Sequence, residues 1–159
     1  MDVFYLLRWL HIIGGTVLLG TGAGIAFFML LSHRTGNPHI VAHTASVVVV
    51  ADYVFTASAV VLQPVTGVLL ALQMGWPLGQ GWLLASIGLY VLTGACWLPV
   101  VRIQIHMRDL ARGAVAANTP LPASYYRLFR SWVLLGIPAF VAVLLILWLM
   151  VARPSLVFI

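Results

Sequence analysis

Between Arg8 and Arg34 the chain runs for 23 residues, Trp9 to Leu31, with His11 as the sole ionisable side chain. As a helix rising about 1.5 Å per residue, this stretch matches the roughly 30 Å hydrocarbon core of a bilayer. Three more apolar runs follow, at about 44–72, 82–105 and 131–152. Lipid offers no partners to backbone N–H and C=O groups, so each run has to satisfy its own as a helix. The pattern predicts an all-α membrane protein, one four-transmembrane-helix bundle over residues 1–159. The spans fall at about 9–31, 44–72, 82–105 and 131–152.

Composition narrows the function classes. With 63% hydrophobic and 7% charged residues and a mean hydropathy of +1.10, the chain lies outside the soluble globular classes. Its net charge of +5 comes from eight arginines against three aspartates, without lysine or glutamate. The arginines stand at the ends of apolar runs, where they can snorkel toward lipid phosphates, and they form no patch for nucleic acid. The lipid bilayer is therefore the expected partner. Cys96 is the one cysteine, which rules out an intrachain disulfide and a cysteine-based metal centre. The first run is too long for a cleavable signal peptide and offers no clear small-x-small site.

Charge also orients the bundle. Four spans place Arg34, Arg102, Arg108, Arg112, Arg127 and Arg130 on one side and Arg8 and Arg153 on the other. The positive-inside rule then puts both termini on the outer side of a bacterial inner (cytoplasmic) membrane. Breaks are expected at Ser32 to His39, where Gly36, Asn37 and Pro38 follow in sequence, at Gln73 to Gly81, and at Gly113 to Ser124 with its two prolines. Tyr125 to Arg130 mixes aromatics with arginines and reads as an interfacial anchor. The fourth run, polar only at Ser131, reads as the most lipid-facing.

Helical periodicity sorts the polar residues into faces. On the first helix, His11, Gly15, Leu18, Gly22, Met29 and His33 share one face, read as the wall of a site. Thr16, Gly20 and Gly24 share the other, a small-residue seam suited to helix packing or a homodimer. On the second, Asp52, Thr56, Ala59, Gln63, Thr66 and Gly67 form a polar stripe that should face the bundle. Pro64 frees the carbonyl of Val60 there and predicts a kink. The third carries Ser86, Tyr90, Thr93, Trp97, Val101, Gln104 and Arg108 in the same manner, with Arg102, His106 and Asp109 facing away.

A histidine inside a span is costly unless hydrogen-bonded or used, so His11 leads the candidates. Imidazole beside glycine suits axial ligation of a b-type haem, with Gly15 and Gly22 leaving room for the ring. The bland reading is a headgroup or carbonyl contact at the interface. His33 is 22 residues further on, about 33 Å, too far to share one iron. No second histidine falls at the depth of His11, which leaves either a five-coordinate iron or Met74, Met150 or another subunit as the second ligand. At the opposite end His43 and His106, with His33 nearby, form a second possible metal constellation, or simply solvated histidines. Asp52 either pairs with Arg34 or Arg102 or takes part in proton transfer. A cavity lined by Asp52, Thr56, Gln63, Ser86, Tyr90 and Thr93 would relay protons, which makes Asp52, Gln63 and Tyr90 the catalytic candidates.

The segments Leu10-His11-Ile12-Ile13-Gly14-Gly15, Ser32-His33-Arg34, Gln63-Pro64-Val65-Thr66-Gly67 and Gly81-Trp82 resemble a family of bacterial integral membrane proteins defined only as a domain of unknown function. More distantly they resemble the HemJ type of protoporphyrinogen oxidase. That resemblance implies a b-haem with His11 at the first-helix histidine. HemJ proteins carry a lysine early in the third helix, and this chain has none. A broadly similar histidine-bearing look belongs to the CopD copper-resistance family, which keeps copper as an alternative. The leading expectation is a haem-b-binding protein that transfers electrons or oxidises a lipophilic substrate, a porphyrinogen or a quinol, with a quinone or porphyrin as its partner. The alternatives are a non-catalytic membrane subunit packing through Thr16, Gly20 and Gly24, or a copper-handling membrane protein.

Overall fold

The computed structural model describes residues 2–156. Four helices long and apolar enough to span a bilayer make up the fold: α1 Val3–Thr35, α2 Pro38–Gln73, α3 Gly81–Ala116 and α4 Ala123–Ala152. An even number of crossings returns the chain to its starting side, so both termini and the loop of residues 74–80 share one end of the bundle. This is the terminal end. The other, arginine-rich end holds the α1–α2 and α3–α4 turns.

Each boundary has a local cause. Asp2 caps α1, its carboxylate accepting the Phe4 N–H at 3.1 Å. Gly36 closes the helix in the left-handed conformation (φ 61°) with its N–H on the His33 carbonyl. Asn37 then caps α2 by accepting the His39 N–H at 2.9 Å, and Pro38 takes the first helical position. The first turn thus shrinks to Gly36 and Asn37. The helices also outrun the apolar stretches: α3 continues to Ala116, and α4 begins at Ala123, eight residues before its apolar run. Hydropathy marks the lipid-embedded length, whereas arginine-rich turns stay helical in water because arginine is a good helix former. The α3–α4 break does fall at residues 117–122, where Asn118 adopts φ 53° ahead of Pro120 and Pro122.

Helix α2 is not uniform. It is α-helical over Pro38–Ala51 and Ala57–Gln73 and π-helical over Asp52–Thr56. One extra residue turns everything after it by about 100° around the helix axis. The segment before the π turn packs on both α3 and α1, whereas the segment after it packs on α1. Helices α3 and α4 form the most extensive pair, and α1 meets α4 only slightly. The bundle is therefore closed at the arginine-rich end and divided at the terminal end into an α1/α2 pair and an α3/α4 pair.

The core follows this asymmetry. Met29, Val41, Ala45, Met107, Ala111 and Tyr125 anchor a fully buried cluster at the arginine-rich end. The alanines let α2 and α3 approach closely, which supplies dispersion contact where lipid removes the hydrophobic drive between helices. A smaller cluster, Ala71, Trp82, Leu83 and Leu149, joins the last turns of α2 to α3 and α4 beside the loop of residues 74–80. Gly81 opens α3 there because the Leu156 backbone lies against it, where a Cβ would collide with the Leu156 carbonyl.

The interfacial anchor expected at Tyr125 to Arg130 has two faces: Tyr126, Arg127 and Arg130 are exposed, and the other face points inward. Tyr125 and Phe129 are buried rather than at the lipid surface. They enclose His33, whose ring stacks on Phe129 (centroids 3.5 Å apart, 2° between planes) with Nδ1 3.4 Å from the Tyr125 hydroxyl. Aromatic rings next to arginines are equally at home in a headgroup region and in a core, and the imidazole on α1 decided for the core.

Candidate functional site

Between the two helix pairs, where α2 has turned from α3 toward α1, lies a cavity of about 800 Å³. That volume is within the range that holds cofactors and lipophilic ligands. All four helices line it: His11, Gly15, Thr16 and Gly20 from α1, Gln63 and Gly67 from α2, Ser86 and Tyr90 from α3, Leu147 and Met150 from α4. Its rim at Thr16, Gly20, Ile87 and Val151 is exposed, so the cavity opens sideways on the lipid-facing surface.

The histidine is built into a network. His11 Nδ1 lies 2.8 Å from Thr66 Oγ1, and the Thr66 hydroxyl donates to the Leu62 carbonyl at 2.7 Å. A Thr66 hydroxyl that donates to Leu62 accepts from His11 in return, which selects the imidazole tautomer protonated on Nδ1. Nε2 then keeps its lone pair and has no hydrogen-bond partner among the described residues. This second-shell arrangement is the one that orients metal-ligating histidines. Gly67 makes room for the ring: a Cβ there would lie 3.2 Å from His11 Cε1. Gln63 fixes the backbone, its Nε2 donating to the His11 carbonyl at 2.7 Å, and Gly14 permits that approach because a Cβ would collide with the amide.

Tyr90 has a structural task. Its hydroxyl donates to the Val60 carbonyl, the acceptor that Pro64 leaves without a helical donor. The carbonyl that Pro64 frees is thereby tied across to α3. Tyr90→Phe would strand that carbonyl at a cost of about 1–3 kcal/mol. The expected outcome is a lower thermal unfolding midpoint in detergent with the helical circular dichroism unchanged.

The continuous proton relay is corrected. Asp52, Thr56 and Thr93 do not line the cavity. Ser86 and Thr93 donate to the Trp82 and Leu89 carbonyls at 2.8 and 2.9 Å, and the Tyr90 proton is committed to Val60. Of the catalytic candidates, Gln63 and Tyr90 are at the cavity and Asp52 is not. Asp52 is buried about three turns further toward the arginine-rich end. It has no arginine partner either: among the described residues the ion pair is Arg108 with Asp109 at 2.8 Å, while Arg34 and Arg102 are exposed. Depth brought those arginines level with Asp52 in sequence, but their helix faces point outward.

The remaining candidates separate. Gly15 lines the cavity and Gly22 does not, because α1 turns Thr16, Leu19, Gly20 and Ala23 to the opening. The seam expected along Thr16 and Gly20 is thus cavity wall, and neither Gly20 nor Gly24 has a neighbouring side chain within Cβ contact. Met74 is the exposed C-cap of α2, whereas Met150 lines the cavity. His43 and His106 are exposed, with the His106 Nδ1–H donating to the Arg102 carbonyl at 2.9 Å. Among the described residues no three His, Cys, Asp or Glu side chains come together as a metal site, and His43, His106 and His33 therefore form no such group of three.

Sequence reasoning missed two features. Thr66 and Gly67 were legible as part of a polar stripe but not as partners of His11, which needed the α1–α2 register. Helix α4, read as lipid-facing, contributes Ile146, Leu147 and Val151 to the cavity beside the candidate Met150; nothing in its apolar sequence distinguishes those three positions.

The chain belongs to the DUF2269 family, described as predicted integral membrane proteins, whose sequence model matches residues 5–154. No curated protein and no solved structure matches it.

Proposed function

We propose, from this membership of a membrane-protein family and from the chemistry of the cavity, that the protein binds a b-type haem between its helix pairs, with His11 Nε2 as an axial ligand. Electron transfer, or oxidation of a lipophilic substrate such as a porphyrinogen or quinol, is the activity such a centre serves. The observation that carries the reading is the hydrogen bond from His11 to Thr66. It leaves Nε2 unprotonated on the wall of an apolar cavity large enough for a flat macrocycle.

Other features fit the same ligand. Gly15, Gly20 and Gly67 let a planar ring approach the helix backbones. Met150 would offer its thioether as a second ligand, since among the described residues no other histidine lines the cavity. Arg8 lies one turn from His11, and Arg153 follows the lining residues Met150 and Val151, stacked over Trp76 at 4.5 Å. These are the two arginines of the terminal end, and they complement a ligand with carboxylates at its edge. By the positive-inside rule this end is the outer face of a bacterial inner membrane.

The chain's own residues would hold and shield the group. A haem bound there supplies one-electron chemistry. Thr66 keeps the imidazole in one tautomer and raises its basicity, Gln63 holds the α1 backbone, and the apolar walls exclude water and so tune the potential.

The test is an absorption spectrum of protein expressed with ample haem and purified in mild detergent, oxidised and then dithionite-reduced, with iron analysis. A Soret band that sharpens on reduction, with stoichiometric iron, is expected. Folded, colourless, iron-free protein would overturn the reading. That result would favour the non-catalytic reading, in which a partner helix seats against the exposed rim at Thr16 and Gly20.

A further inference from the structure

Beyond the cavity, toward the arginine-rich end, α2 and α3 enclose a second polar centre that the haem reading does not use. Asp52 is 3% exposed, Thr56 7% and Gln104 1%. Trp97 Nε1 donates to Asp52 Oδ1 at 3.4 Å, and the Thr56 and Gln104 side chains face the same carboxyl. Two of these groups are incomplete: among the described residues no hydrogen bond of ordinary length and angle reaches Thr56 Oγ1 or Gln104 Oε1, although both side chains lie beside the carboxyl. A buried oxygen without a partner is uncommon and calls for an explanation.

The π turn supplies part of it. Thr16, Ser46, Thr66, Ser86 and Thr93 each donate to the carbonyl four residues back in their own helix. Thr56 does not, because the widened turn over Asp52–Thr56 moves its hydroxyl off that carbonyl, which accepts the Ala57 N–H instead. π turns of this kind occur often at functional sites. Here the turn gathers a carboxylate, a hydroxyl and an amide oxygen at one depth inside the bilayer.

The geometry points to a monovalent-cation site formed by Asp52, Thr56 and Gln104, its occupant being Na⁺ or a proton. A single carboxylate without a cationic side chain nearby cannot stay charged in a low-dielectric interior. No arginine or histidine of any helix faces it; its neighbours are Thr56, Trp97 and Gln104. One positive charge neutralises it, whereas a divalent ion would leave net charge behind. The donor set is all oxygen, the preference of a hard cation and not of a soft metal. Na⁺ would take Asp52, Thr56 Oγ1 and Gln104 Oε1 as ligands. A proton on the carboxyl would be donated to Gln104 Oε1, with the Thr56 hydroxyl donating back to the carboxyl. Either occupant gives both incomplete oxygens a partner. Irregular helix at membrane depth serves the same purpose where transporters coordinate Na⁺ or H⁺.

The experiment uses purified full-length protein in detergent at neutral pH. Its thermal midpoint is followed against NaCl, with choline chloride holding ionic strength constant, and the carboxyl C=O stretch is recorded by infrared spectroscopy. The Na⁺ arm predicts a saturable rise in midpoint with NaCl that is lost in Asp52→Asn. The proton arm predicts no Na⁺-specific rise but a protonated-carboxyl band that disappears in Asp52→Asn, an isostere that keeps an oxygen for Trp97. An unchanged midpoint together with an ionised Asp52 would overturn the site. Both measurements on the wild type stand even if the variant fails to fold. Neither depends on haem, so this site and the cavity reading fail separately.

Discussion

Loss of bound haem with an intact bundle is the expected result of His11→Ala. The imidazole supplies the one nitrogen lone pair that lines the cavity, so its removal should leave purified protein without a Soret band and without iron. The fold should tolerate the change. Thr66 still donates to the Leu62 carbonyl, and Gln63 still reaches the His11 backbone carbonyl, which alanine keeps. What disappears is one side-chain hydrogen bond, about 1 kcal/mol. Thr66→Val is the graded companion. It removes the acceptor that sets the tautomer while leaving the ligand, and second-shell losses of this kind weaken metal affinity by about 10–100-fold. Haem titration of the two apo-proteins separates the effects: no saturable binding for His11→Ala, weakened binding for Thr66→Val. Wild-type spectra in the alanine variant would remove His11 from the site.

Filling the cavity should act as strongly by a different route. Gly20 lines it, and a Cβ there meets no atom within 4 Å. In Gly20→Phe the ring therefore has space in the cavity without displacing a helix. It would occupy the volume that the ligand needs, and haem occupancy is expected to fall at least tenfold. Stability should hold or rise, since a cavity lining gains dispersion partners that it lacked. Occupancy comes from the Soret absorbance per chain and stability from the thermal midpoint. A variant with full haem content would place the ligand outside this cavity even if His11 proves essential.

Much of the fold was legible because lipid leaves few choices. Runs such as Trp9 to Leu31 must be helical, and four of them make a bundle. The Gly36-Asn37-Pro38 turn and the Asn118 to Pro122 break were legible too, since glycine and proline act through local sterics. Polar stripes were read correctly as facing inward: Asp52, Thr56 and Thr66 on α2 and Ser86 and Gln104 on α3 are all buried. Helix ends were read less well, because hydropathy measures immersion in lipid and not hydrogen bonding. Arg127 and Arg130 lie inside α4 for that reason.

The site was legible by residue type and not by grouping. His11, Gly15, Gln63 and Tyr90 were identified from their polarity or small size within apolar surroundings, and all four line the cavity. Their roles depended on register. Whether Tyr90 relays a proton or ties down the carbonyl that Pro64 frees turns on which carbonyl faces it. Whether Asp52 pairs with arginine turns on which way Arg34 and Arg102 point.

Sequence alone determined that this chain lives in a membrane as four helices, where they turn, and which polar side chains would be kept from lipid. These follow from transfer energies and backbone sterics, which act residue by residue. Only the tertiary structure decided that a π turn at Asp52–Thr56 swings α2 from α3 to α1, opening the cavity on one side of the turn and enclosing a carboxyl on the other. A one-residue change of helical phase costs little locally and leaves no mark in composition. Its consequences appear only when the other helices pack against the faces it has turned.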